Sequence, residues 1–213
     1  MANNGHQFIA RSMLPVLVLL LLAAILALYY YGWFPFILIS VVFLALCFIS
    51  RDPRREVPSS PLAILSPASG RITAIEQETD PWLKRPAVRY RINMSLWDVH
   101  SLRSPTEGKV MNEWAAAEPG PGRRRYTYWI QTDEGDDIVL SLIMGMSSLI
   151  VRLTPRTGDR VGHGQALGFL FFAGVVEVYA AENSKILAEP GTGVKSGSDI
   201  LGQFVHGKGG AAG

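Results

Sequence analysis

The hydrophobic and polar positions divide the chain into two unlike parts. From Ser12 to Ser50 no residue is Asp, Glu, Lys, Arg or His, and Arg11 is the only lysine or arginine before this run. All 18 acidic residues lie from Arg51 onward. The pattern predicts three parts: an N-terminal tail with an apolar membrane segment (1–50), a polar domain (51–205) and a flexible tail (206–213).

The apolar run is too long for a single membrane span. A straight helix over it would be about 58 Å long, roughly twice the thickness of the hydrocarbon core of a bilayer. Gly32 and Pro35 interrupt the run, and aromatic residues cluster around this break. We therefore expect a transmembrane α-helical hairpin, with helices over about Met13–Tyr31 and Phe36–Ile49.

Basic residues flank the expected hairpin at both ends, and its connecting loop carries no charge. Arg11 precedes the hairpin, and Arg51, Arg54 and Arg55 follow it. The positive-inside rule then places both ends of the hairpin, and the polar domain, in the cytoplasm. Two alternatives stay open, a cleaved signal peptide and a re-entrant hairpin confined to one leaflet.

The polar domain shows the alternation of large and polar residues that is typical of strands. Three stretches carry it most clearly: 88–94, 126–132 and 175–179. Glycine and proline recur between such stretches at the spacing of turns. We expect a mostly β domain, with a short helix near Met111–Ala117.

Two sequence patterns in the polar domain occur twice. The pattern Ser-Pro-x-x-Gly-basic-aliphatic begins at Ser66 and again at Ser104, and a Gly-x-x-Val pattern begins at Gly158 and again at Gly191. A tight turn that needs glycine, followed by a short strand, explains such patterns. The repeats resemble the half-barrel hairpins of lipoyl- and biotinyl-type domains, which predicts that architecture but no function.

Composition and charge narrow the classes of function. The net charge of +2 is too small to suggest a nucleic-acid partner. Cys47 is the only cysteine and lies in the apolar run, which excludes an internal disulfide framework and a cysteine-based zinc site. We expect no metal site and no nucleic-acid binding.

The order of segments resembles that of the short, membrane-anchored type of phosphatidylserine decarboxylase. The resemblance extends over nearly the whole chain, and the stretch from Met94 to Gly108 is its most specific part. The matching segments are Arg51–Pro53, Ser66–Gly70, Met94–His100, Ser104–Gly108, Gly158–Gln165 and Phe172–Gly174.

The resemblance implies a proenzyme that cleaves itself at a Gly-Ser bond and converts the serine into a pyruvoyl group. That carbonyl would form a Schiff base with the amine of phosphatidylserine and accept electrons as carbon dioxide leaves. In this chain the family's serine position is Gly174, and the position of the aspartate that orients a base is Ser69. Glycine offers neither the attacking hydroxyl nor the β-carbon of a pyruvoyl group, so we expect no such cofactor.

Two further segments depart from the family pattern, and one family residue is kept. Gly145–Ile150 replaces a stretch with an Ala-Arg-Arg sequence, and Arg123–Tyr126 replaces an Asn-Glu-Arg-Asn stretch. The family's histidine is His100, which is either a retained base or head-group contact, or a histidine held inside the β domain. The arginines of the loop are candidates for lipid head-group binding or a solvated surface run: Arg123, Arg124 and Arg125.

The leading hypothesis is a catalytically inactive relative of the decarboxylase at the bacterial inner membrane. It would act as a structural, assembly or lipid-binding subunit, with membrane lipids and an unidentified membrane protein complex as partners. The alternative is an active phosphatidylserine decarboxylase with an atypical maturation site, for which Gly197-Ser198 is the only Gly-Ser pair in the chain. A membrane-fusion-type transport adaptor would need a long coiled-coil insertion, and the sequence has none.

Overall fold

Two helices open the described part of the chain. The computed structural model describes residues 14–51, 56–60, 62–145, 151–170 and 174–205, with only the backbone of Val151 and Arg152. Helix α1 spans Leu14–Tyr31 and helix α2 spans Trp33–Ile49. The expected break between two apolar helices is confirmed, and it lies at Gly32, whose φ of 82° suits glycine.

Both helices are apolar on all sides. Helix α1 is long and apolar enough to cross a membrane, and only 17% of it is buried. Helix α2, with 17 residues, is one residue shorter. Large side chains around the turn are exposed, among them Tyr29, Tyr31, Trp33 and Phe34. A helix in the core of a water-soluble protein would instead bury most of this surface.

The described residues of the β domain form fourteen strands. Their bounds are β1 Ala63–Leu65, β2 Gly70–Thr79, β3 Pro86–Asn93, β4 Ser101–Arg103, β5 Gly108–Ala117, β6 Arg124–Gln131, β7 Asp137–Met144, β8 Val151–Leu153, β9 Arg160–Val161, β10 Ala166–Leu170, β11 Val175–Ala181, β12 Lys185–Ile186, β13 Gly193–Val194 and β14 Ile200–Gln203.

One large sheet and two small ones make up the domain. The large sheet has eight antiparallel strands in the order β13-β2-β3-β11-β7-β6-β5-β9. It curls around a core to which β3, β7 and β11 contribute fully buried side chains such as Ile92, Leu140 and Val178. The small sheets have the orders β1-β14-β12 and β4-β10-β8. The mostly β domain expected from the sequence is therefore confirmed.

The expectation of a short helix near Met111–Ala117 is wrong. This stretch belongs to β5, which pairs with β6 along its whole length, so that Ala117 lies opposite Arg124. Alanine favours helices locally, but the hydrogen bonds of a long antiparallel ladder and the burial of Val110 against the core override that preference.

The two copies of each repeated pattern occupy equivalent places in the fold. Val194 of β13 pairs with Gly70 at the start of β2, and Val161 of β9 pairs with Gly108 at the start of β5. A Cβ atom on Gly70 or Gly108 would overlap a backbone carbonyl of the neighbouring strand. The likeness to lipoyl- and biotinyl-type domains stays a prediction.

The base of the helix pair packs on the β domain. Leu17 near the start of α1 and Phe169 of β10 are buried together, with Phe43, Leu46 and Ile49 of α2 against them. The first turn of α1 and the last turns of α2 therefore lie against the small sheet of β4, β8 and β10, and the Gly32 turn lies at the other end of the pair.

Candidate functional site

The large sheet has a second, polar face that carries an open cleft. Alternate residues of a strand point to opposite faces, so the strands that bury Ile92 and Val178 toward the core direct Arg91 and Glu177 to the other side. A cavity of about 880 Å³ lies there, lined by residues of β2, β3, β5, β6, β7 and β11. We call it the arginine cleft, because Arg89, Arg91, Arg123 and Arg125 all line it.

Gly174, which the resemblance assigns to the family's serine position, lies on the wall of the arginine cleft just before β11. Its carbonyl accepts a hydrogen bond from the backbone N–H of Met94 at 2.9 Å. A Cβ atom at this position would lie 2.7 Å from Cδ2 of Leu170 and 3.0 Å from the carbonyl oxygen of Ile143. A larger residue therefore fits only if the Leu170 side chain moves.

Glu177 is the centre of an ion-pair network in the floor of the cleft. Its side chain is 2% exposed, and its Oε2 accepts hydrogen bonds from Nη1 of Arg125 at 3.0 Å and from the Tyr179 hydroxyl at 3.2 Å. Nη1 of Arg91 lies 3.5 Å and Nη1 of Arg89 3.8 Å from Oε1. Three arginines thus offset the cost of burying one carboxylate.

Arg125 is held on both sides. Besides Glu177, its Nε and Nη2 donate to the two carboxylate oxygens of Glu118 at 2.7 and 2.8 Å, which is the bidentate geometry that arginine favours. These hydrogen bonds raise the pKa of Arg125 and lower the pKa of Glu118. Arg125 therefore keeps its charge but has little capacity left for a ligand.

The three arginines that the sequence grouped together are separated by the fold. Arg123 is exposed and lines the cleft, Arg125 lies paired in its floor, and Arg124 is exposed without lining it. Arg91 adds a guanidinium that sequence reasoning missed, half-exposed and only loosely paired with Glu177. The alternation of Arg89, Arg91 and Asn93 along β3 was the signal that could have placed it there.

His100 is fully buried and does not line the arginine cleft. Its carbonyl accepts a hydrogen bond from the N–H of Leu170 at 2.9 Å, and its ring lies 5.9 Å from that of Phe169. Among the described residues neither ring nitrogen makes a well-aligned hydrogen bond, although the backbone carbonyls of Asp98 and Ile49 lie close to the ring. Burial lowers the pKa of His100, and the charge of Asp98 only partly opposes this effect.

Ser69, which the resemblance assigns to the family's aspartate position, is buried just before β2. Its hydroxyl oxygen accepts a hydrogen bond from the N–H of Ser196 at 3.1 Å, and the hydroxyl of Ser196 donates to the carbonyl of Pro67 at 3.0 Å. Ser69 thus joins the turn before β2 to the turn after β13. It is not among the residues that line the arginine cleft.

Several residues for which the sequence predicts a role lie outside the described residues. They are Arg11, Arg54, Arg55, Met146–Ile150, Phe172, Ala173 and the tail from His206. Within the described ranges, no group of three or more His, Cys, Asp or Glu could hold a metal ion.

The fold and the cleft together define a β domain with an apolar helix pair at its N-terminus and a charged site on its large sheet. A family model for phosphatidylserine decarboxylase matches residues 44–202. The chain therefore belongs to the phosphatidylserine decarboxylase family, as the sequence resemblance indicated. No solved structure matches it.

Relatives from several bacteria are similar over nearly their full length, and each is named phosphatidylserine decarboxylase proenzyme. The relative from Nitrosomonas europaea is 31% identical over 93% of this chain and 96% of its own. The relative from Aromatoleum aromaticum is 31% identical over 96% of this chain and 100% of its own. The relative from Burkholderia ambifaria is 32% identical over 95% of this chain and 99% of its own.

Proposed function

We propose that this chain is a phosphatidylserine decarboxylase family member that forms no pyruvoyl group and binds phospholipid head groups at a membrane. The observation that carries the first half is Gly174. A pyruvoyl group is built from the atoms of a serine, and neither the hydroxyl nor the β-carbon exists at this position. The residues present therefore do not fit that group.

The substitution at Ser69 supports the same conclusion. The resemblance assigns this position to an aspartate that orients a base, and a neutral hydroxyl supplies no negative charge for that task. Here the hydroxyl oxygen accepts a hydrogen bond from a backbone N–H instead. Two positions needed for maturation have thus lost the required atoms, while the glycines at the starts of β2 and β5 are kept.

The arginine cleft supports head-group binding. Among the described residues, Arg123 has no carboxylate partner and Arg91 has only a long contact to Glu177, whereas Arg89 and Arg125 have closer carboxylate partners. Guanidinium groups bind phosphate oxygens through charge-assisted, often bidentate hydrogen bonds. The phosphate of a phospholipid is the ligand class that this chemistry favours. A membrane protein complex of which the chain is a subunit would be a further partner.

The helix pair supports placement at a membrane. Helices of 18 and 17 residues are about 27 and 25 Å long, close to the thickness of a hydrocarbon core. Both helices meet the β domain at the same end, so the domain would lie on one side of the bilayer. The arginines around the hairpin favour the cytoplasmic side of a bacterial inner membrane.

The second candidate function is an active decarboxylase that matures elsewhere in the chain. The names of the relatives favour it, since each is a proenzyme. Ser198 follows Gly197, whose φ is 73°, and its hydroxyl donates to Oδ1 of Asp199 at 3.3 Å. Cleavage there would release residues 198–213.

The intact mass of the purified chain separates the two candidates. Our proposal expects a single species of about 23.3 kDa that does not react with a carbonyl-specific hydrazide. Two fragments, the smaller one blocked by a pyruvoyl group, would overturn it. In that case Ser198→Ala tests whether the cleaved bond is the one before Ser198.

Titration of the full-length chain in detergent with a soluble phospholipid analogue tests head-group binding. We expect the double variant Arg91→Gln, Arg123→Gln to lose binding of a soluble phospholipid analogue with a short acyl chain, while Arg124→Gln retains it. Equal affinity in the wild type and the double variant would contradict the assignment of the cleft.

A further inference from the structure

A short loop between β3 and β4 exposes two large apolar side chains. In this segment, Ser95–Val99, which we call the aromatic loop, Trp97 is 74% exposed and Leu96 is 49% exposed. The carboxylate of Asp98 accepts a hydrogen bond from the N–H of Ser95 at 2.7 Å and so shapes the loop. Exposing an indole ring to water is unfavourable, and such a side chain commonly marks an interaction site.

The aromatic loop contacts the base of the helix pair. The ring of Trp97 lies edge-on to that of Phe48 in the last turn of α2, with 6.3 Å between their centroids. The guanidinium of Arg51 lies 4.0 Å from the centroid of the Phe48 ring and donates a hydrogen bond to the carbonyl of Trp97 at 2.9 Å. The loop is therefore held where the apolar surface of the helices ends.

We propose that the aromatic loop is a second membrane contact, in which Trp97 and Leu96 insert among the lipid head groups beside the helix pair. This inference rests on the membrane placement of the helices in the proposed function. Tryptophan prefers the boundary between head groups and hydrocarbon, and an arginine beside it can keep its charge at that boundary. Arg51, two residues after the end of α2, lies at the expected depth of this boundary, and its hydrogen bond to Trp97 places the aromatic loop at the same depth.

The exposed apolar surface of α2 continues through Phe48 onto the aromatic loop. This continuity favours a bilayer over a separate protein partner as the occupant, because a bilayer that surrounds the helices also reaches the residues at their base. A protein bound to the aromatic loop would instead require its own apolar surface at the membrane boundary.

The aromatic loop also links the bilayer to the arginine cleft. Met94, the residue before the loop, lines the cleft and donates its N–H to the carbonyl of Gly174. His100, directly after the loop, is buried beside Phe169 and thus beside the helix base. A membrane contact by Trp97 would therefore bring one rim of the cleft to the level of lipid head groups.

Depth-dependent quenching in the full-length chain tests this membrane contact. In a Cys47→Ser background, Trp97→Cys carries an environment-sensitive fluorophore, Tyr30→Cys carries it at the helix turn, and Glu134→Cys carries it at the opposite end of the large sheet. The protein is reconstituted into vesicles of phosphatidylcholine and phosphatidylglycerol, with and without brominated acyl chains, and iodide serves as the aqueous quencher.

We expect the probe at position 97 to lose fluorescence with lipids brominated near the head group and to be shielded from iodide. The probe at position 134 should respond only to iodide. If the probe at position 97 responds as position 134 does, or is shielded from both quenchers, the loop lies in water or against protein and the inference is wrong. If the probe at position 30 also fails to respond to brominated lipid, the membrane placement itself is wrong.

Discussion

At the scale of single residues, Gly174 is the position on which the proposal of no pyruvoyl group depends. The arginine cleft holds a network of charges, but Gly174 on its wall, which the resemblance assigns to the serine that supplies a pyruvoyl group, has no side chain. The side chain of Leu170 occupies part of the space that a β-carbon at this position would need. The packing around this position thus suits glycine.

Restoring the missing atoms tests this interpretation. We expect Gly174→Ser alone to remain uncleaved, because Ser69 still supplies no negative charge, and the double variant with Ser69→Asp to cleave between residues 173 and 174. Intact mass measured over several days of incubation gives the cleaved fraction. Cleavage of the single variant, or an intact double variant, would show that these two positions do not account for the loss.

Glu177 has a structural role that can be separated from any role in binding. Its replacement leaves three arginines in the floor of the cleft without their shared carboxylate. We expect Glu177→Gln to lower the free energy of unfolding by about 3 kcal/mol, the usual effect of breaking a buried ion pair. Glu182→Gln, at an exposed position after β11, is the matched control. Chemical denaturation in detergent measures both, and equal stability of the two variants would contradict the role of the network.

At the scale of elements, the repeated turns hold the large sheet together at its two edges. The short strands β13 and β9 each add to the start of a long strand, and each depends on a glycine that lets two backbones approach. Because β2 and β5 both begin with this arrangement of glycine and short strand, the same sequence pattern occurs twice.

Alanine substitutions measure this dependence on glycine. We expect Gly70→Ala and Gly108→Ala each to destabilise the domain by about 1–3 kcal/mol, because the added carbon overlaps a carbonyl of the neighbouring strand. The effect should be larger at Gly108, whose φ of 157° is also unfavourable for alanine. Gly145→Ala, whose added carbon meets no atom of the described residues within 4 Å, should leave thermal stability unchanged. A similar loss at Gly145 would mean that close approach is not the cause.

At the scale of the whole molecule, the helix pair, the small sheet of β4, β8 and β10 and the aromatic loop meet around His100. Burial lowers the pKa of both His100 and His163, so the folded chain holds them neutral to a lower pH than the unfolded chain does. The unfolded chain therefore binds more protons as the pH falls below about 6.5, and stability must decrease in that direction.

This linkage predicts a pH dependence that one substitution should weaken. Between pH 7.5 and pH 5.5 we expect the melting temperature of the wild type to fall, and that of His100→Asn to fall less, since the contribution of His100 is then missing and that of His163 remains. Circular dichroism of the full chain in detergent measures both profiles. Parallel profiles would indicate that His100 titrates alike in the folded and unfolded chains.

Much of the fold could be predicted from local patterns. The uncharged run predicted two helices, because it is too long for one membrane span and Gly32 and Pro35 interrupt it. The alternation along β3, β6 and β11 predicted strands. It failed at Met111–Ala117, where local helix preference and long-range pairing disagree and pairing prevails.

The candidate site could be predicted only in part. The resemblance indicated Gly174, Ser69 and His100 one by one, but it could not tell that only Gly174 borders the arginine cleft. Nor could adjacency in sequence tell that Arg123, Arg124 and Arg125 have three different surroundings. Successive residues of a strand point to opposite faces, and only the pairing of β6 with β7 decides which of them meets Glu177.

The sequence by itself determined which residues are present and their local pattern. It therefore determined the uncharged N-terminal segment, the β domain, the family, and the absence of a serine hydroxyl at position 174. These features depend on the identity and the local order of the residues, which the tertiary structure does not change. Only the tertiary structure decided that Arg91 joins Arg123 at one cleft, that Glu177 ties three strands together, and that Trp97 lies beside Phe48. Those arrangements bring together residues far apart in the chain, and they depend on strand order and register.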